Sequence, residues 1–311
     1  MARVGHAWTV TAVIFDLGGV LIRWVPERAF EQVMPAGDVR RFMEHIGFDA
    51  WNRTNDGLRS IADSEAALAE HFPEQADGIR AYRQHFPHTI TQLVPGTGAV
   101  LAELNQAGTK TIALTNWAAD MFAIARARFG ILNRFSDIVV SGEEGIVKPD
   151  PAIYELACRR AGVEPGEAVF IDDSPGNAVA ATNAGLTGLT FTSAEQLRTD
   201  LVRLGLLGAP TPVTEPVFHW TPRTEWEKAL ASGHYPWSGR AMGYLAEGFV
   251  HFSFAHQLAA TRARLYAELA PEDLVLLRLD PDPRLPIVVE DGFPHLFAEL
   301  PVDRVQASAP E

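Results

Sequence analysis

The chain has 311 residues and a net charge of −13, with 47% hydrophobic and 21% charged residues. That balance suits a globular protein of two domains, or of one domain carrying an insertion. No basic block breaks the acidic background, which argues against nucleic acid as a partner, and no apolar run approaches the ~20 residues that cross a bilayer. The one cysteine, Cys158, cannot form an intramolecular disulfide, and MARVGHAWTV lacks the plan of a signal peptide, so a cytoplasmic location is expected. Cys158 lies in AIYELACRRAG, read as an amphipathic helix, and is expected to be a packed thiol. Only Lys110, Lys148 and Lys228 among the 26 basic residues are lysines, so a retained lysine points to a need for a compact ammonium.

In chain order, TAVIFDL (11–17), TKTIALTN (109–116), SDIVVSG (136–142) and EAVFIDD (167–173) read as buried parallel strands, with TGLTFT (187–192) as a fifth. Helical stretches closed by glycine lie between them, which predicts an α/β class with a Rossmann-like parallel sheet. The interval of about 24–93 is too long for one crossover and reads as a helical insertion above the strand ends. Within it, Trp51, Asn55, Asp56 and Arg59 are candidates to face a substrate, and Trp24 and Trp117 flank predicted active-site loops, although aromatics more often pack. LVRLGLLGAPTPVTEP carries three prolines and marks the next boundary, giving domains at 1–207 and 214–305, a linker at 208–213 and a tail at 306–311.

The predicted strand ends carry Asp16, the pair Thr115 and Asn116, and the pair Asp172 and Asp173; Lys148 lies in a loop beyond the third strand. A parallel sheet gathers such loops at one edge. Together they offer a carboxylate nucleophile, a hydroxyl and amide to grip an anion, an ammonium, and an acidic pair for a divalent metal. Phosphoryl transfer needs these parts. Read separately, Lys148 suits a solvated loop and DDSPGN suits a helix N-cap; the combination favours a site.

VIFDLGGVL, ALTNW, GIVKPDPAIYE and FIDDSPGNAVAATNAGL, in that order, resemble the haloacid dehalogenase superfamily of hydrolases over residues 11–200, in the branch with a helical cap after the first strand. The resemblance implies attack by Asp16 on a small phosphorylated substrate to form an aspartyl-phosphate. It implies Mg²⁺ as cofactor, held by Asp16, the Gly18 main-chain carbonyl, Asp172 and Asp173, with Thr115, Asn116 and Lys148 on the phosphoryl oxygens. Asn177 fills a supporting position, orienting a water or a metal ligand. Many family phosphatases carry a proton-donating Asp where this chain has Gly18. Three readings follow: a phosphatase for good leaving groups, one with an acid from the cap or substrate, or a weak enzyme kept for binding.

Beyond the linker the pattern becomes α+β: strands PVFHWT and GFVHFS, a helix AHQLAATRARLYAEL, strand DLVLLRLD, then PIVVED, HLFAEL and a disordered tail ASAPE. His219, His251 and His295 sit in apolar, strand-like surroundings, and alternation puts His251 and Ser253 on one face. Glu247 and Glu290 are nearby candidates; hydrogen-bonded core histidines and a zinc site both remain open. Residues 214–305 resemble the uncharacterised DUF952 family, and more distantly RNA 2′-phosphotransferases and ADP-ribosyltransferase-like folds. That second resemblance implies a nucleotide-like or ADP-ribose-like ligand near His219, His251 and Ser253, with Arg240, Arg262 or Arg264 as anion ligands. Two competing roles stay open: a non-catalytic ligand-binding protein, or a C-terminal transferase served by an accessory phosphatase.

Overall fold

The computed structural model describes residues 9–308, so most of MARVGHAWTV and residues 309–311 lie outside the described residues. The chain folds as two compact units. The first takes the chain to Gln92, then Ala107–Ala127 and Phe135–Leu206. Its centre is a parallel sheet of β1 (Ala12–Phe15), β2 (Lys110–Thr115), β3 (Asp137–Val140), β4 (Ala168–Asp172) and β5 (Thr187–Thr190), in the order β3-β2-β1-β4-β5. The runs AVIF and AVFID are buried throughout, as a sheet covered on both faces requires. All five strands fall where the apolar runs predicted them, each shortened where the chain turns out at its end.

Between β1 and β2 lies the helical insert: α1 (Ala36–Ile46), α2 (Phe48–Asn55), α3 (Ala62–His71) and α4 (Ala76–Gln84). Its interior is aromatic. Phe48 meets Phe30 edge-on at 5.4 Å and Tyr82 at 5.0 Å, and Trp51 packs 5.9 Å from both Phe48 and Tyr82. Beside the sheet, α5 (Pro151–Ala161) begins on the Asp150 side chain, which accepts from the Ala152 N–H, and ends on Gly162. Its Tyr154, Ala157 and Cys158 pack against Ile14, Leu114 and Phe170. Burial pushes the Cys158 thiol up to about 11, which suits the expected packed residue.

The second unit takes Leu93–Gln106, Arg128–Arg134 and the chain from Leu207 onward. In chain order it holds β6 (Val217–Pro222), β7 (Val250–His251), α6 (Leu258–Leu265), β8 (Leu274–Leu279), β9 (Ile287–Glu290), β10 (Phe293–Leu296) and β11 (Gln306–Ser308). These form two antiparallel sheets, β11-β8-β6 and β7-β10-β9. Three expectations need correction. Gln306–Ser308 is not tail but an edge strand against Leu276–Arg278. Only Val250–His251 of GFVHFS is laddered, and the predicted helix over 255–269 is regular only over Leu258–Leu265. It stops because Tyr266 turns inward, packs on Trp220 and Leu274, and donates its hydroxyl to the Trp220 carbonyl at 2.8 Å. Among the described residues no helix is long and apolar enough to cross a membrane.

The aromatic interior of the insert yields a stability prediction. Phe48→Ala, at 1% exposure, is expected to cost about 3–5 kcal/mol, read as a lowered urea midpoint with unchanged slope.

Candidate active site

The last register pair of β1 and β4 is Phe15 with Ile171, so Asp16 and Asp172 stand side by side one residue further on. Both are buried. Two carboxylates so placed repel unless a cation intervenes. Lys148 is that cation: Nζ lies 2.9 Å from Asp16 Oδ1 and 2.7 Å from Asp172 Oδ2, and donates to the Leu114 carbonyl at 3.3 Å. All three ammonium donors are engaged. Burial alone works against the Lys148 charge, but the two carboxylates outweigh it and hold its pKa above the ordinary range. Burial also raises Asp16, and the Lys148 charge opposes that rise.

The loop bearing Lys148 is fixed to the end of β2. Asn116 accepts the Lys148 N–H through Oδ1 at 2.8 Å, and donates its amide to the Lys148 carbonyl at 3.0 Å. Asp172 also accepts the Ser174 N–H at 2.8 Å and the Asn177 amide at 3.1 Å on each oxygen. Asn177 therefore steadies Asp172. Asp173 is more exposed; burial and the Asp172 charge raise its pKa. Asp16, Asp172 and Asp173 each bring one oxygen within 4.8 Å of the others, the one such three-donor group among the described residues.

The two glycines after Asp16 differ. Gly19 has φ +72°, and a Cβ there would lie 2.1 Å from an Asp173 oxygen, so only glycine fits. A Cβ on Gly18 would meet nothing within 4 Å. The missing acid at 18 is not excluded by space.

A cleft of about 700 Å³ opens on this edge, bordered by Asp16, Gly18, Thr115, Lys148 and Asp173 on the sheet side. Asn52, Arg53, Asn55, Asp56 and Tyr82 border it from the insert, and Trp24 and Trp117 from the loops. Of the insert candidates, Asn55 and Asp56 reach the cleft. Trp51 packs inside the insert, and Arg59 instead donates to the Glu143 carbonyl at 3.4 Å. Asn52 and Arg53 were not singled out, although Asn52, Asn55 and Asp56 share one face of α2 by helical spacing.

In the second unit a separate cleft of about 480 Å³ is bordered by His219, His251, Ser253 and His295. His219 is a satisfied core residue: Nδ1 lies 2.6 Å from the His251 carbonyl, and Nε2 lies 2.6 Å from the Tyr235 hydroxyl. Burial lowers its pKa to about 4. His251 and His295 are paired across β7 and β10, with Nδ1 and Nε2 3.2 Å apart. His295 Nδ1 lies 2.9 Å from Glu290, which receives both guanidinium nitrogens of Arg134 at 2.7 and 2.9 Å. Burial opposes the Glu290 charge, but His295 and Arg134 outweigh it and hold its pKa at about 2. The Ser253 hydroxyl sits 3.1 Å from that of Thr261. Arg240 and Arg264 border the cleft, whereas Arg262 stands 6.0 Å over the Trp220 ring. These histidines meet one another and Glu290 rather than forming a three-donor metal group.

A parallel α/β sheet with an Asp–Lys–Asp cluster and a third acid at its C-terminal edge defines a carboxylate-based hydrolase class. The chain belongs to the haloacid dehalogenase-like hydrolase family, whose profile matches residues 10–185, more than half its length. Residues 220–308 match DUF952, a family of unknown function. The chain is 32% identical over 118 residues to a phosphoserine phosphatase of Thermus thermophilus, covering 38% of this chain and 45% of that protein. It is 27% identical over 191 residues to phosphoglycolate phosphatase 1 of Pseudomonas aeruginosa, covering 56% and 66%. A magnesium complex of the HAD family enzyme bt-2542 of Bacteroides thetaiotaomicron aligns with a TM-score of 0.47 at 21% identity, covering 63% of this chain and 99% of that one. The chain thus spans less than half the length of the phosphoserine phosphatase.

The contrast between the two glycines is directly measurable. Gly19→Ala is expected to lose about 1–2 kcal/mol from its left-handed backbone alone, and more from the Asp173 clash. Gly18→Ala is expected to stay within about 0.5 kcal/mol of the parent in the same urea titration.

Proposed function

We propose that the first unit is a Mg²⁺-dependent phosphatase of small phosphate monoesters, acting through an aspartyl-phosphate on Asp16. The observation that carries this reading is the buried Asp16–Lys148–Asp172 cluster beside Asp173 at the mouth of one cleft. Lys148 places positive charge where phosphoryl oxygens would lie and, against the burial that raises Asp16, favours its carboxylate form as nucleophile. Thr115 offers a hydroxyl to the same oxygens. Asn116 serves by anchoring Lys148, and Asn177 by orienting Asp172. The helical insert after β1 acts as a cap that shields the reaction from water.

Asp16, Asp172 and Asp173 form an all-oxygen donor group that fits a hard cation such as Mg²⁺, to which the Gly18 carbonyl would add a further oxygen. When bound, the ion would neutralise charge on the transferring phosphoryl group. The names of the two relatives point to phosphoserine or phosphoglycolate as the kind of substrate.

Hydrolysis of p-nitrophenyl phosphate in the presence of Mg²⁺ is the test. Asp16→Asn is expected to lower kcat/KM by at least about a thousandfold, and chelation should silence the parent until Mg²⁺ is restored. Equal rates in parent and variant would falsify the reading.

For the second unit, the cleft around His251 and Ser253, with Arg240 and Arg264 on its border, supports a reading as a binding site for a nucleotide-like anion. Titration calorimetry of the full chain with NAD and ADP-ribose is expected to give heat with one of them, reduced in Arg264→Ala. Silence with both removes the reading.

A further inference from the structure

Phosphoryl capture from an alkyl ester needs a proton for the departing oxygen, and Gly18 carries none. This inference rests on the phosphatase reading above. Two insert residues at the end of α2 face the cleft that holds Asp16. Asn55 is 3% exposed, and neither its amide nitrogen nor its carbonyl oxygen has a hydrogen-bond partner. A buried amide left so costs about 1–3 kcal/mol, a cost removed by a polar ligand that fills the gap. Its neighbour Asp56 lines the same cleft. Burial raises the Asp56 carboxyl to about 6, against the charges of Lys148 and Arg53, so its protonated form is populated at mildly acidic pH and in a minor fraction at neutrality.

The segment is held to the sheet rather than left free. The Ser141 hydroxyl donates to the Asp56 carbonyl, and the Leu58 and Arg59 carbonyls accept the Ala119 and Asp120 N–H groups, both at 3.0 Å. A Cβ on Gly142 would lie 2.5 Å from the Leu58 carbonyl, so the insert rests closely on the short helical turn Ser141–Glu144 after β3. Asp56 and Asp16 thereby share one frame.

We propose that Asp56 is the general acid that Gly18 cannot be, and that Asn55 grips the polar part of the leaving group. A carboxylate oxygen of Asp16 attacks phosphorus, the bond from phosphorus to the ester oxygen breaks, and that oxygen leaves with the electron pair and the Asp56 proton as an alcohol. Asp56, now a carboxylate, takes a proton from the water that attacks the aspartyl-phosphate phosphorus. Phosphate departs, and both aspartates return to their starting states. The substrates that need this device are alkyl phosphates whose leaving groups carry hydroxyl or carboxylate functions. Aryl phosphates, with stable leaving anions, need it little.

The test compares phosphoglycolate with p-nitrophenyl phosphate. In Asp56→Asn, kcat/KM for phosphoglycolate is expected to fall about 10²–10⁴-fold, and for p-nitrophenyl phosphate at least about tenfold less. Across a series of phosphate esters, the parent should show a shallow dependence on leaving-group basicity that steepens in the variant. Asn55→Ala should raise KM for phosphoglycolate more than it lowers kcat. Adding Gly18→Asp to Asp56→Asn should return part of the alkyl activity, since the side chain has room. An equal loss on both esters with an unsteepened series overturns the proposal. If Asp16→Asn is dead and Asp56→Asn shows no such discrimination, only the acid assignment fails. If Asp16→Asn remains active, the phosphatase reading itself fails.

Discussion

Two carboxylates forced side by side by strand register in a buried site repel unless a cation lies between them. Lys148 meets that demand, and much of the local structure follows from it. An arginine fork would not fit a position that must donate to Asp16, Asp172 and the Leu114 carbonyl from a single atom. The ammonium must also stay put, because a buried charge that loses its partners costs several kcal/mol. The reciprocal Asn116 bonds answer this by tying the Lys148 backbone to the end of β2. Ser174 and Asn177 then complete Asp172, so the acid carrying the Lys148 bond cannot swing away.

The turn after Asp16 separates a geometric need from a chemical choice. Gly19 answers a need, since its backbone and the nearby Asp173 forbid any side chain. Gly18 answers none, because its surroundings are open. A site with room for an acid and none in place either works on esters that leave unaided or receives its proton from the opposite wall. That wall is the insert, whose α2 presents an unpartnered amide and a carboxyl beside the same cleft. On the proposed reading, labour divides across the cleft: capture from the sheet, proton handling from the insert.

The sheet and the acids of the site were legible because each depends on local signals. Apolar runs of four to six residues ending in Asp16, Thr115 or Asp172 announce strands and their outlets at once. The bonds of Asn116 to the Lys148 backbone were not legible, because they depend on a loop 32 residues away. The cleft-facing position of Arg53 depends on how the insert rests on the sheet, which helical spacing alone does not fix. In the second unit, the β11 strand is a short polar segment whose pairing with β8 is visible only in three dimensions. The His251–His295 pair likewise joins residues 44 apart through a register that the two short segments do not announce.

The second unit has its own ordered polar line, and the direction of its first step can be read from the partners. The Glu290 carboxylate only accepts, so His295 Nδ1 carries the hydrogen between them. Its Nε2 lies 3.2 Å from His251 Nδ1, within hydrogen-bond reach. Burial first, then the neighbouring His295, His219 and Arg264, lower His251 to about 4, which leaves the ring and its Nε2 uncharged at neutral pH. That nitrogen stands 4.0 Å from Glu247, beyond hydrogen-bond reach, on the border of the cleft. The far end of the line is Arg134, which sits within the stretch matched by the hydrolase family and yet folds in the second unit. The Glu290 end of this line is therefore held by a residue that the proline-rich linker separates from it in sequence. A cut at that linker would leave Glu290 without the guanidinium that holds its charge.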